Sequence, residues 1–358
     1  MMTGKNNKFG YFSLVCIIII SVFLSSYFST NYQIISIFLG SIILGFLVTK
    51  YGLKIFKKLK LLQKIREDVP YLHSLKENTP TMGGAFFIPV FLTISLIYSY
   101  PLSGLKIIFL TTILSFFCIG ILDDFLSIKG KSNLGLKANQ KFVLQFIVTY
   151  IFSSYAIKNG FINSEITFFN HFSLSLNSAI MPFSILTIVG LSNAVNLTDG
   201  LDGLAAGCSS IVLCGLGTEI LLSNNGNDII YSIISFTLSG LCLGFLKFNK
   251  YPAKIFMGDT GSLCIGAVIG SICLLTSSYV TLFIISGIFI IEALSVIAQV
   301  TYFKITKKLF NKGKRILLMS PLHHHYELQG VNEVLIVETF WKINIVLAVL
   351  GIVLKMSF

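Results

Sequence analysis

Several short polar motifs in this chain hold the residue types that phosphate chemistry needs. Asp123 and Asp124 are adjacent at the end of an apolar run. Neighbouring carboxylates repel, so at a membrane surface they usually hold a cation or a proton. They can bind Mg2+ through oxygen, or one can serve as a general base; a solvated helix end is the simpler alternative. The run Asn196-Leu-Thr-Asp199-Gly200-Leu-Asp202-Gly203 sets two acids three residues apart, on one face if helical, with glycines that let a ligand or a second backbone approach. Its plain alternative is a polar turn. Between Asn249 and Ser262, Asp259 lies among glycines just before a predicted helix. Free N–H groups at such a start suit a phosphate, and a carboxylate there can share Mg2+ with it; Ser262 taken alone reads equally well as an N-cap.

The run Pro321-Leu-His323-His324-His325-Tyr326-Glu327 places three histidines in a row. Consecutive residues on a helix point in different directions, which argues against a three-His metal site from this run alone. Imidazoles contacting phosphate or sugar oxygens fit better. The stretch from His73 through Lys76 to Thr79 and Gly84 leads into an apolar run and, taken alone, could be a turn into the membrane. Glu219 and Glu292 fall inside apolar runs, where acids are costly and often functional. Glu292 and Gln299 would share a helix face, so an interhelical hydrogen bond explains them equally well.

The elements that must position these motifs are apolar. The 358 residues are 54% hydrophobic and 12% charged, with a mean hydropathy of +0.83. Apolar segments near 11–29, 34–49, 84–100, 106–122, 139–157, 179–195, 204–222, 229–246, 261–277, 281–302 and 335–355 have lengths that suit spanning helices rather than the short alternating strands of a barrel. The expected fold is all-α: a polytopic transmembrane helical bundle of about 10–11 spanning helices, forming one domain over 1–358. Segment 11–29 follows Lys5 and Lys8 but is longer than a signal-peptide core and lacks a clear small-x-small cleavage site, so it reads as an additional N-terminal helix. The seven cysteines lie in apolar runs without a CxxC pair, which indicates neither a disulfide framework nor a zinc site.

The formal charge of +12 is a matter of topology. Most Lys and Arg residues fall in alternate loops, at 50–83, 123–138, 247–260 and 303–334, while the opposite set has little beyond Lys106, Lys158 and Lys355. Such an excess marks the cytoplasmic side, so nucleic-acid binding is not needed to explain it. The polar motifs sort into that same set of loops, which points to a composite active site at the cytoplasmic face. Its position suits a reaction between a cytosolic phosphorylated substrate and a membrane lipid, in which a lipid phosphate attacks a diphosphate whose charge is held by Mg2+ and Lys.

At these residues the sequence closely resembles the phospho-N-acetylmuramoyl-pentapeptide transferases (translocase I). The matching stretches are TPTMGG at 79–84, DD at 123–124, NAVNLTDGLDGLAAG at 193–207, FNxxPAxxFMGDTGSL at 248–263, EALSVIxQV at 292–300 and PLHHHYE at 321–327. They cover the chain from about Lys50 onward. NLTDGLDG and FMGDTGS also look like the wider polyprenyl-phosphate hexose-1-phosphate transferase superfamily, and TPTMGG and PLHHH narrow it to the muramoyl branch. The resemblance implies Mg2+-dependent transfer of phospho-MurNAc-pentapeptide from UDP-MurNAc-pentapeptide to undecaprenyl phosphate, giving lipid I and UMP, in a bacterial inner (plasma) membrane. By motif, Asp259 resembles the magnesium-binding acid, and Asp123 and Asp124 the pair that deprotonates or engages the lipid phosphate. Lys76, Gly200, Asp202, Asn249 and Phe256 resemble the nucleoside pocket. Asn196, Asp199, His323, His324 and His325 match essential positions, and Lys131 and Lys141 resemble basic residues near the phosphates. Ser127 stands where the family often has Lys, with Lys129 or Lys131 as the replacement charge, and Asn78 where Gly often precedes TPTMGG. The family core has ten helices with an outside N-terminus, so segment 11–29 would bring the N-terminus inside or lie along the membrane.

Two other functions use the same residues. A sister transferase moving GlcNAc-1-phosphate shares the acidic motifs but not PLHHHYE. A cation-coupled transporter would place its functional acids near mid-membrane, whereas these motifs cluster at one face. A homodimer is compatible with the sequence, which carries no feature that sets the oligomeric state.

Overall fold

A computed structural model describes residues 6–59, 79–130, 135–168, 172–223 and 228–356. Every apolar segment expected from the sequence is helical, because a chain in hydrocarbon must satisfy its backbone internally. In chain order the described helices are α1 (Asn6–Phe28), α2 (Gln33–Leu59), α3 (Gly84–Tyr98), α4 (Gly104–Lys129), α5 (Ala138–Lys158), α6 (Ile180–Thr198), α7 (Leu204–Leu222), α8 (Ile229–Asn249), α9 (Asp259–Leu275), α10 (Tyr279–Ile285), α11 (Gly287–Phe310), α12 (Leu322–Leu328) and α13 (Glu333–Met356). Eight of them, α1, α2, α4, α6, α7, α8, α11 and α13, are long and apolar enough to cross a membrane. Helices α3 and α9 are apolar but shorter. Helix α5 has 21 residues, with Asn139, Gln140, Lys141 and Gln145 in its first half.

Two features depart from the expected architecture. The segment expected as one helix at 281–302 is two, α10 and α11, interrupted at Ser286 (φ −89°, ψ 10°). A Ser-Gly pair is a common point of bending, and hydropathy alone does not register it. A two-stranded antiparallel hairpin, β1 (Glu165–Phe168) and β2 (Phe172–Ser175), with Glu165 opposite Ser175, joins α5 to α6.

Helices α7 and α9 form the centre, buried on every side from Leu204 to Leu221 and from Thr260 to Leu275. Helix α8 packs between α2 and α7, while α4 and α6 flank α9. The outer helices turn apolar side chains outward, among them Phe142 and Ile147 on α5, Leu294 and Ile297 on α11, and Val346 on α13. This is the inverse of a soluble surface and fits a lipid solvent. Small residues let the inner helices meet closely. At Gly120 of α4, a Cβ would stand 2.4 Å from the Asp259 carbonyl oxygen, so the two acidic ends are drawn together by backbone contact.

Candidate active site

The site is assembled at the start of α9. Gly258 precedes it with φ +73° and ψ 174°, a left-handed φ that favours glycine. A Cβ there would also lie 2.5 Å from Asp124 Oδ2. Asp124, buried near the end of α4, accepts the backbone N–H of Asp259 (3.1 Å), the N–H of Thr260 (2.9 Å) and the Thr260 hydroxyl (2.6 Å). An acid from another helix thus fills the capping role at α9. The next two N–H groups, of Gly261 and Ser262, both donate to the Gly258 carbonyl at 3.1 Å. All four therefore have protein acceptors, and the expectation that this helix start offers free donors to a phosphate is not met. Nor is Ser262 an N-cap: its hydroxyl donates to the Gly258 carbonyl (3.0 Å) and accepts from Asn196 Nδ2 (3.0 Å).

Around this start the charged groups of three motifs converge. Asp123, Asp124 and Asp259 each offer an oxygen within 4.8 Å of the others. Lys141 Nζ donates to Asp259 Oδ2 and lies 3.7 Å from Asp123 Oδ1, while Asn196 Nδ2 donates to Asp259 Oδ1 at 2.6 Å. Asp123 Oδ1 also accepts the Leu136 N–H at 3.0 Å. Asp199, just past α6, receives the Gly258 N–H; burial, reinforced by the charges of Asp259 and Asp124, holds its carboxyl well above the usual range. One turn beneath Lys141 and Asn196, Gln145 of α5 accepts from Asn193 Nδ2 of α6 at 2.7 Å, a second polar tie between the two helices.

The remaining motifs wrap the same end of the bundle. Asp202 Oδ2 accepts the Ala253 N–H (2.8 Å), its own N–H donates to Glu333 Oε1 (2.8 Å), and Asn249 Nδ2 donates to the Ile255 carbonyl (2.9 Å). Both side chains therefore fix the loop between α8 and α9. The stretch 79–84 lies along that loop: the Phe256 N–H donates to the Pro80 carbonyl (2.8 Å), and the Gly83 N–H to the Phe256 carbonyl (2.8 Å). What could be only a turn in the sequence is, over its described residues, paired along the loop that leads into α9. The three histidines of α12 splay as expected. His323 is fully buried against Glu292 (3.0 Å), His324 pairs with Glu327 (2.9 Å), and His325 Nδ1 accepts the Leu318 N–H (3.1 Å). Lys129 is exposed on the last turn of α4, and among the described residues Lys141 is the lysine that meets the acids. Lys76 and Lys131, with His73, lie outside the described residues.

Residues 106–277 match glycosyl transferase family 4. A phospho-N-acetylmuramoyl-pentapeptide-transferase of Prochlorococcus marinus subsp. pastoris is 56% identical to this chain, covering 100% of both. Another, from a different Prochlorococcus marinus strain, is 41% identical over 96% of this chain and 92% of the relative. One from a Synechococcus species is 37% identical over 96% and 98%. The chain belongs to the phospho-N-acetylmuramoyl-pentapeptide-transferase family. The resemblance of the short motifs thus extends along the whole sequence.

Within this family member, sequence reasoning located the acids but not their partners. The capping of α9 by Asp124, the Gln145–Asn193 tie and the bond from Asp202 to Glu333 all join residues far apart in the chain. Glu292 carried a signal, an acid in an apolar run on one face with Gln299, and the interhelical hydrogen bond that this pattern allows is made, to His323 of α12. Gln299 instead holds the loop after α11, through the N–H groups of Ile316 (2.9 Å) and Leu317 (3.0 Å). Glu219, the other intramembrane acid, accepts from the Ser278 hydroxyl at 2.6 Å and lies 4.0 Å from Lys355 Nζ.

Proposed function

We propose that this chain transfers phospho-MurNAc-pentapeptide from UDP-MurNAc-pentapeptide to undecaprenyl phosphate, producing lipid I and UMP at the cytoplasmic face of a bacterial inner membrane. The observation that carries this reading is the convergence of Asp123, Asp124 and Asp259 beside Lys141. The lysines and arginine at the same end of the bundle, including Lys247, Lys250, Lys254, Lys307, Lys308, Lys314 and Arg315, support the cytoplasmic orientation.

Three carboxylates within 4.8 Å form a hard-oxygen donor set, which fits Mg2+. Asp259 would be the principal ligand, with Asp123 beside it. Bound there, Mg2+ supplies positive charge opposite the diphosphate oxygens. An oxygen of the lipid phosphate forms a bond to the sugar-linked phosphorus; the bond from that phosphorus to the bridging oxygen breaks, and the electron pair leaves with UMP. Lys141 adds a cation where negative charge accumulates. Asn196 orients Asp259 through its Oδ1. Asp124 is committed to the start of α9, so Asp123 is the better placed to engage the lipid phosphate and take its proton. Gly200, Asp202, Asn249 and Phe256, with Lys76, would form the nucleoside side; Lys131 would lie near the phosphates and the histidines beside the donor.

The test is UMP release by purified protein in detergent with undecaprenyl phosphate and Mg2+, offering UDP-MurNAc-pentapeptide and UDP-GlcNAc in parallel. Release and a lipid-linked product from the muramoyl donor alone, abolished by EDTA, are expected. Product from UDP-GlcNAc would assign the sister reaction, and release from neither donor by folded protein would remove the transferase reading.

A further inference from the structure

His323 and Glu292 are both fully buried where α12 meets α11. The two Glu292 oxygens are spent on one residue: Oε1 takes the His323 backbone N–H at 3.2 Å, and Oε2 lies 3.0 Å from ring Nδ1. A carboxylate is an acceptor only, so Nδ1 carries a proton, and in the neutral imidazole the lone pair is then on Nε2. That Nε2 is buried without a hydrogen-bond partner. It faces the Asp199–Gly200 turn, where a Cβ on Gly200 would come within 2.3 Å of it. Buried nitrogens rarely go unpaired, and a specific exception calls for an unseen partner. Gly200 packs against this nitrogen without a side chain to pair with it or to displace it, beside Asp199.

We propose that Glu292 is a positioning residue: it fixes the His323 tautomer and ring so that Nε2 accepts a hydrogen bond from a hydroxyl or amide N–H of the nucleotide-sugar donor. The proposal rests on the transferase reading and assigns a contact and a supporting residue within that site. Glu292 itself touches no substrate, because both its oxygens are occupied by His323. The shared chemistry is a neutral donor group, and it comes from either the nucleoside or the sugar-peptide portion.

The experiment compares Glu292→Gln, Glu292→Asp and His323→Asn by UMP binding and by kcat and KM with the muramoyl donor. Gln keeps the size of Glu but its NH2 can donate to Nδ1, which reverses the tautomer; Asp is smaller but keeps the carboxylate; Asn replaces the Nδ1 side of His and deletes Nε2. We expect Glu292→Gln to lose about 10- to 100-fold in kcat/KM, the cost of one unpaired buried polar group. Glu292→Asp should retain more activity than Glu292→Gln, and Glu292→Gln should cost little further in the His323→Asn background. Weakened UMP binding in His323→Asn places the contact on the nucleoside; unchanged UMP binding with raised donor KM places it on the sugar-peptide. A packing role gives the opposite order, Gln better than Asp, and that order overturns the proposal, as does a Glu292→Gln enzyme with wild-type kcat/KM. Wild-type protein that turns over the muramoyl donor separates such a failure from a failure of the transferase reading itself.

Discussion

The carboxylate of Asp124 accepts both the backbone N–H and the hydroxyl of Thr260, at 2.9 and 2.6 Å, so an acid of one motif caps the helix that carries another. With the Asp259 N–H as a third donor, Asp124 ties α4 to α9. Asp124→Asn offers one acceptor oxygen in place of two and brings an amide that competes for the same groups. Its expected cost is about 1–3 kcal/mol, the range for breaking buried hydrogen bonds to a charged group, measured as a lowered unfolding midpoint in detergent. Thr260→Val, which removes the hydroxyl alone, should cost less.

Gly258 and Gly160 give a matched pair. Their φ angles are +73° and +72°, but a Cβ at Gly258 meets Asp124 Oδ2 at 2.5 Å, whereas at Gly160 nothing lies within 4 Å. Gly160→Ala should therefore carry only the backbone penalty, roughly 1 kcal/mol, and leave transfer intact. Gly258→Ala adds the steric clash and should lower both thermal stability and turnover. Thermal unfolding and UMP release on the two variants make the comparison.

Lys141 binds Asp259 and stands beside Asp123, which gives it a part in charge neutralisation rather than packing. Lys141→Met should reduce kcat by about 100-fold or more, in line with loss of a preorganised electrostatic group. Lys141→Arg should recover part of that activity. A Met variant with near-normal kcat would remove Lys141 from the reaction centre.

Much of this site was legible by residue type. Asp123, Asp199 and Asp259 stand out because acids are rare in a chain this apolar, and loop charge put them on one side. The helices were legible for a related reason: hydrocarbon leaves an apolar run of that length few other conformations. The break at Ser286 and the β1–β2 hairpin were not, since each depends on local geometry that hydropathy averages away. Partnerships were the least legible. The residues joined by the Asp124–Thr260 bond are 136 apart, and those joined by Lys141–Asp259 are 118 apart; only the packing of α4 and α6 on α9, with α5 against both, brings them together.

In the proposed mechanism the carboxylates around the start of α9 hold the divalent cation that transfer requires, with Asp259 as the principal ligand. Its most direct test is Mg2+-dependent lipid I formation by Asp259→Asn, in protein whose thermal unfolding shows that it remains folded. A loss of turnover of about 1,000-fold or more that added Mg2+ does not restore is expected, the scale seen when a group at the reaction centre is removed. Lipid I formation at close to the wild-type rate and Mg2+ requirement would contradict it.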